Sequence, residues 1–206
     1  CIIMFDKKLQ PLTNSALSRL AAIAVKNGVS ADLVSVIGFF IGILSALLVA
    51  LGYFYLALIF FIINRILDGL DGAIARTNTP SYRGGFIDIV FDFIIYSSVP
   101  FAFAVYDESN ALAACFLIFS FIGTGTSFLA YGIIQAQLPE KNKGPLNQKS
   151  FFYLDGLIEG GETIIFVSII MLFPSLFSTI SFVFGCLCWI STIFRIYVGW
   201  RDFSFK

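Results

Sequence analysis

Four aspartates and an arginine stand close together in a part of the chain that is otherwise strongly apolar. The five residues are Asp68, Asp71, Arg76, Asp88 and Asp92. Moving one carboxylate into membrane hydrocarbon costs roughly 2.5–3.5 kcal/mol, and neighbouring carboxylates also repel one another. Because packing contacts alone do not offset that cost, the cluster predicts a site for polyvalent cations.

The composition predicts a membrane protein and excludes several kinds of chemistry. The chain of 206 residues is 58% hydrophobic and 13% charged, whereas soluble domains carry about 25% charged residues. Its formal net charge of zero gives no indication of a nucleic-acid partner. There is no histidine, which excludes a Ser-His-Asp triad and a His-rich zinc site. Acid-base chemistry therefore falls to Asp, Glu, Lys or Tyr.

Six apolar segments follow one another, each long enough for a spanning helix of about 20 residues. They are residues 33–52, 54–76, 85–105, 111–137, 151–173 and 175–200. Without a period-two alternation they favour helices over a barrel. The sequence therefore predicts an all-α membrane protein, a single domain over 1–206 with a six-helix bundle over 33–200.

The basic residues indicate the orientation of this bundle. All 13 lie on one side of the predicted spans, and the opposite connections carry only Asp107 and Glu108. Cytoplasmic loops carry an excess of Lys and Arg. We therefore expect both termini and the aspartate cluster on the cytoplasmic side.

An amphipathic helix is predicted over 13–28, before the first span. One face carries the apolar residues Leu17, Leu20, Ala21, Ala24 and Val25. Gly28 is suited to end the helix. The pattern is typical of a helix in the membrane interface, although a helix packed on the spans would show it as well.

Helical geometry brings the carboxylates together. At 100° per residue, Asp71 lies about 60° from Asp68 on the second span, and Asp88 and Asp92 are i, i+4 neighbours on the third. Two facing helices would therefore converge four carboxylates. Such hard oxygen ligands select Mg²⁺, Mn²⁺ or Ca²⁺, and four suffice for two ions that act on a phosphorus centre.

Nearby residues favour a diphosphate ligand over a bare ion. Gly72 and Ala75 lack bulk, so a substrate could approach the helix backbone closely, although helix packing favours small residues too. Arg76 offers a bidentate fork to phosphate. Gly84 and Gly85 open the third span, where backbone N–H groups attract anions.

The motif Asp68-x2-Asp71-Gly72-x2-Ala75-Arg76-x7-Gly84-x3-Asp88-x3-Asp92 resembles the signature of the CDP-alcohol phosphatidyltransferase family. That signature usually has eight residues between its arginine and glycine, so Gly84 or Gly85 is the motif glycine. The six spans and the N-terminal helix are also similar, and the chain looks most like bacterial inner-membrane members without an assigned acceptor.

The resemblance implies an activity. A substituted phosphate group would pass from a CDP-linked lipid such as CDP-diacylglycerol to an alcohol hydroxyl, releasing CMP. Two divalent cations, Mg²⁺ or Mn²⁺, would be held by the four aspartates, with Asp92 also the general base. Gly72, Ala75 and Arg76, with Gly84 or Gly85, would contact the nucleotide and diphosphate. Family members often form homodimers, and membrane lipids are implied partners.

Further polar residues are candidates for substrate contacts. The turn Ser30-Ala31-Asp32 lies where relatives carry a Thr-Pro-Asn-like turn, and it is either a helix cap alone or a helix cap in which Asp32 also contacts the nucleotide. The acceptor candidates are Lys149, Glu159 and Arg195. Acids on the fifth span would otherwise pair with Arg195 or Arg65.

Three other functions stay open. The same aspartates could serve an intramembrane cation transporter, although transporter sites usually lie near the membrane midplane between repeated halves, and no repeat is visible. A non-catalytic relative would be expected to lose some of the four aspartates. Within the enzyme class, glycerol 3-phosphate is the alternative acceptor, although the run at Asn147–Ser150 matches glycerol-phosphate users poorly.

Overall fold

The computed structural model describes residues 17–77, 81–137 and 160–204, and all regular structure in these ranges is helical. The helices are α1 (residues 17–26), α2 (Ala31–Ala50), α3 (Phe54–Thr77), α4 (Tyr82–Tyr106), α5 (Ala111–Gln137), α6 (Gly160–Leu172) and α7 (Phe177–Asp202). Short 3-10 turns at Glu108–Asn110 and Pro174–Leu176 precede α5 and α7. The predicted all-α fold is confirmed.

The predicted count of six spans is not confirmed. Among the described residues, α2, α4, α5 and α7 are long and apolar enough to cross a membrane. α3 has 24 residues, but its two aspartates and two arginines exclude it from this group. The described part of α6 has 13 residues, and residues 151–159 of the predicted fifth span lie outside the described ranges.

Two predicted helix ends are confirmed. Ser30 caps α2, since its Oγ accepts a hydrogen bond from the Leu33 N–H at 3.3 Å. Gly28 adopts φ +75 after α1, a conformation that glycine reaches without strain. The Val29 N–H then donates to the Ala24 carbonyl at 2.9 Å, which closes the helix end.

The predicted interfacial location of α1 is not confirmed. Ala21 is fully buried in an apolar cluster with Ala73 and Ile74 of α3. Leu20 and Ile23 remain about half exposed. The observed contacts are those of a helix packed on the bundle, the alternative that the same pattern allowed.

The main apolar core begins at Phe61 and Ile95, within about two turns of the motif aspartates, and extends to the opposite end of the bundle. Phe103 on α4 stacks on Phe177 of α7 with ring centroids 4.2 Å apart, and both are fully buried. Phe103 follows Asp88 by 15 residues on the same helix, which is about 22 Å along its axis. One end of the bundle is thus held by apolar packing while the other carries charge.

Glycines bring α2 close to the helices that carry the site. A Cβ on Gly42 would stand 2.7 Å from Ile95 Cδ1 and 3.1 Å from Asn64 Nδ2, and one on Gly38 would stand 3.4 Å from Leu67 Cβ. Small residues allow such close approach between membrane helices. α2 therefore packs directly over the α3–α4 pair.

We expect Gly42→Leu to destabilise the protein by about 1–3 kcal/mol, because the added side chain overpacks the contact with Ile95. The measurement is the thermal unfolding of the detergent-solubilised protein. Gly132→Leu is the matched control, since a Cβ there meets nothing within 4 Å. Equal unfolding temperatures for the two variants would contradict this packing.

Candidate active site

Three of the four motif aspartates converge at the junction of α3 and α4. Asp68, Asp71 and Asp88 each offer a carboxylate oxygen, and these oxygens all lie within 4.8 Å of one another. Asp71 is buried, Asp68 is half-buried and Asp88 is exposed. The group is therefore open to solvent on the α4 side and enclosed on the α3 side.

Ser35 of α2 fixes the buried member of this group. Its Oγ donates to Asp71 Oδ2 at 2.5 Å and lies 3.1 Å from the Ala31 carbonyl, one turn earlier on α2. The contact orients the Asp71 carboxylate from the α2 side. No part of the motif indicates it, because Ser35 lies 36 residues away in sequence.

The fourth aspartate, Asp92, pairs with an arginine. Arg65 Nη1 lies 2.8 Å from Asp92 Oδ1, 2.9 Å from Tyr96 Oη and 3.8 Å from Asp68 Oδ2. Among the described residues, the ion pairs of Arg65 are thus with motif aspartates. One signal was available in the sequence, since Arg65 precedes Asp68 by three residues and shares its helix face.

Asn64 ties this arginine to the neighbouring helix. Its Nδ2 donates to the Gly38 carbonyl at 2.9 Å, and its Oδ1 accepts from Arg65 Nε at 2.8 Å. Asn64 is only 2% exposed. A lone asparagine in an apolar run is the sole sign of this role in the sequence.

Arg76 lies at the exposed end of the same helix. A Cβ on Gly72 would stand 3.3 Å from Arg76 Nη1, so the absence of a side chain at Gly72 gives the guanidinium room to lie against α3. Arg76 is exposed and Ala75 is half-buried. This face of α3 therefore combines small residues with the exposed guanidinium of Arg76.

The start of α4 differs from the expected anion site. The Gly84 and Gly85 pair predicts N–H groups open to a ligand, but they donate to Ser81 Oγ at 2.9 Å and to the Ser81 carbonyl at 3.2 Å. Asp32 reaches this turn from α2 and pairs with Arg83. Its Oδ1 would lie 3.4 Å from a Cβ on Gly84, so Asp32 and Gly84 are neighbours.

The acceptor candidates are less well placed. Lys149 and Glu159 lie outside the described residues. Arg195 on α7 is 5% exposed, and its Nη1 donates to the Thr124 carbonyl at 2.8 Å and lies 3.1 Å from Ser127 Oγ. These contacts join α7 to α5. An acceptor role for all three stays a prediction.

The aspartates line a cavity between α2, α3 and α4. Its lining in the described part of the chain is Ser35, Gly38, Phe39, Asn64, Arg65, Asp68, Asp71, Asp88, Phe91, Asp92 and Ile95. Phe39 and Phe91 stack with centroids 4.1 Å apart, which gives the cavity an apolar wall. Clustered carboxylate oxygens suit hard divalent cations, so the donor set fits the metals that the motif indicates.

Comparisons with known proteins show the family of this chain. The sequence model of the CDP-alcohol phosphatidyltransferase family matches residues 29–197. The inner membrane protein YnjF of Escherichia coli (strain K12) is 42% identical over 198 residues, which cover 96% of each chain. The archaetidylinositol phosphate synthase of Pyrococcus horikoshii is 28% identical over 191 residues, 92% of this chain and 94% of that one.

Solved structures share the fold. Mycobacterium tuberculosis phosphatidylinositol phosphate synthase (PgsA1) with CDP-DAG bound gives a TM-score of 0.71 at 19% identity, over 89% of this chain and 93% of that one. The same protein with manganese and citrate gives 0.63 at 17%, over 89% and 88%. The chain therefore belongs to the CDP-alcohol phosphatidyltransferase family, and the enzyme class expected from the aspartate motif is confirmed.

We expect Asn64→Leu to lower the free energy of unfolding by about 1–3 kcal/mol, because the Gly38 carbonyl and Arg65 Nε lose their partner in a buried place. Thermal unfolding in detergent is the measurement. Asn27→Leu is a matched control, since Asn27 Nδ2 also donates to a backbone carbonyl at 2.9 Å, but in an exposed position. An equal loss in both variants would contradict the role given to Asn64.

Proposed function

We propose that this chain transfers a phosphatidyl group from a CDP-diacylglycerol-type donor to an alcohol hydroxyl and releases CMP, in phospholipid biosynthesis. The observation that carries the proposal is the set of Asp68, Asp71 and Asp88 oxygens within 4.8 Å of one another. Family membership supports the reaction class. A CDP-DAG-bound neighbour of the same fold supports the donor.

Two divalent cations, Mg²⁺ or Mn²⁺, would be held by Asp68, Asp71, Asp88 and Asp92. When bound, they would neutralise charge on the donor diphosphate, as divalent ions do in other phosphoryl transfers. The carboxylate chemistry of the cavity suits them. A manganese-bound structure of a neighbour supports the choice of metal.

Side chains of the protein would bind the substrates and accept the proton. Asp92 would accept the proton of the acceptor hydroxyl as its oxygen bonds to the β-phosphorus, while the bond from that phosphorus to the CMP oxygen breaks. Arg76 would hold the diphosphate, with Gly72 and Ala75 allowing close approach. Gly84 or Gly85 at the start of α4, and Asp32 of α2 beside Gly84, would contact the nucleotide.

The membrane setting suits this reaction. The distribution of basic residues is that expected of a protein whose termini and active site face the cytoplasm. In that orientation CMP would leave into water, while the lipid tails of the substrate would stay in the bilayer. A relative named as an inner membrane protein supports that membrane as the location. The chain would act as one domain over 1–206, and the family resemblance favours a homodimer.

The acceptor would be recognised around Lys149, Glu159 and Arg195. Two similar proteins are named for inositol phosphate lipids, so a phosphorylated polyol belongs in any panel of acceptors. Glycerol 3-phosphate is the second candidate. A cationic Lys149 and Arg195 would suit a phosphate on either one.

Purified protein with Mg²⁺ or Mn²⁺ and CDP-diacylglycerol should release CMP when the correct alcohol is supplied. Asp92→Asn should lower the rate by about 10²–10⁴-fold, the usual contribution of a general base. Asp107→Asn is the matched control, because Asp107 is an exposed acid at the opposite end of α4. Divalent cation flux through the protein, with no CMP release from any donor and acceptor, would instead support a transporter.

Arg76→Lys should raise the KM for the CDP-linked donor about tenfold or more, because lysine offers a point charge where arginine offers two parallel donors. The value of kcat should change less than KM. Arg201→Lys provides the control, since Arg201 is an exposed arginine that pairs with Asp202 at the end of α7. A KM equal to that of the control would remove Arg76 from the donor site.

A further inference from the structure

Arg65 is held in the aspartate-lined cavity by contacts of its Nε and Nη1 atoms. Its side chain is only 7% exposed. Its Nε bonds Asn64, and its Nη1 bonds Asp92 and Tyr96. The guanidinium carbon also lies 4.9 Å from the Tyr96 ring centroid and 5.7 Å from that of Phe61, distances at which a cation is attracted to an aromatic face.

We call the four motif aspartates together with Arg65 the carboxylate centre. The contacts of Arg65 make this centre asymmetric. Asp68, Asp71 and Asp88 form a group whose oxygens lie within 4.8 Å of one another, which can wrap one ion. Asp92 is not part of that group, and its Oδ1 is taken by Arg65 at 2.8 Å. One half of the centre is therefore arranged for a metal, while a guanidinium already occupies the other half.

One hydrogen-bonding nitrogen of Arg65 is still unpaired among the described residues. Its Nη2 is buried without a hydrogen-bond partner there. A buried unpaired donor is costly unless a ligand satisfies it. Because Arg65 lines the cavity, a phosphate oxygen entering the cavity is a suitable acceptor.

We propose that Arg65 is a resident cation in the Asp92 half of the centre. In the absence of donor the protein then binds one divalent ion, at Asp68, Asp71 and Asp88. A second ion binds only together with the diphosphate of the donor. The inference rests on the proposed function, because it assigns an order of binding to that site.

The formal charges favour this order. Four carboxylates and the Arg65 guanidinium sum to minus three, and one divalent ion brings the centre to minus one. A second ion without donor would make the centre positive beside a buried arginine, which is unfavourable in a low-dielectric place. If the second ion arrives with a diphosphate diester that carries two negative charges, the charge of the centre stays at minus one.

The number of bound ions tests the proposal directly. Mn²⁺ binding to the detergent-solubilised protein is measured by electron paramagnetic resonance and by metal analysis. We expect one Mn²⁺ per chain without donor and two, with a spin-coupled spectrum, after addition of CDP-diacylglycerol. Arg65→Gln should bind two ions without donor, with at least tenfold tighter affinity for the second ion than the unmodified protein.

Two further variants separate charge from folding. Arg65→Lys keeps the positive charge and should bind one ion without donor. Arg201→Gln removes an exposed arginine outside the cavity and should also bind one. If Arg65→Gln does not fold, as judged by size-exclusion chromatography, the ion counts of the unmodified protein with and without donor decide the question.

Several results would overturn the proposal. They are two ions in the unmodified protein without donor, one ion even with donor, or a folded Arg65→Gln that binds fewer than two ions. CMP release by the same preparation distinguishes this failure from that of the proposed function. Active protein with two ions before donor addition rejects only the role of Arg65, whereas absence of CMP release with every acceptor rejects the function.

Discussion

Repulsion among clustered carboxylates in a largely apolar bundle is the constraint on which the rest of this structure depends. Like charges this close destabilise one another, and local contacts have to compensate. Arg65 contacts Asp92 and Asp68, and Ser35 donates to Asp71. Because these groups come from α2, α3 and α4, the compensation requires the three helices to approach closely. The lack of a side chain at Gly42 makes that approach sterically possible.

Apolar packing supports the helices that carry the polar site. The stacked rings of Phe103 and Phe177 belong to a continuous core shared by α2, α3, α4, α5, α6 and α7. That core holds α3 and α4 together from Ile95, which lines the cavity, to Phe103, about four turns from Asp88. The carboxylates therefore stay close together although their negative charge is only partly compensated. The remaining negative charge would attract cations. The charged residues of α3 also explain why this helix does not count as a span.

Features of the site that depend on local sequence were predictable, and those that depend on helix rotation were not. Helical periodicity predicted that four carboxylates converge, and those of Asp68, Asp71 and Asp88 form the close group, while residue preferences predicted the Ser30 cap and the Gly28 stop. The Asn64 contact with Gly38 and the Ser35 contact with Asp71 require the rotation of α2 against α3, which no pattern within one helix specifies. The closure of the Gly84 and Gly85 N–H groups by Ser81 was missed because a capping serine competes with ligands for those donors.

Arg65 and Arg76 lie on the same face of α3 but differ in burial and in the groups that they contact. Arg65 and Arg76 are 11 residues apart on α3, so they lie about 20° apart around the axis and about 16 Å apart along it. Asp68 and Asp71 stand between them. Arg65 is buried and committed to carboxylates, whereas Arg76 is exposed beside Gly72. In the proposed function, a nucleotide that enters from water would therefore meet Arg76 first, and Asp68 and Asp71 would lie between it and Arg65.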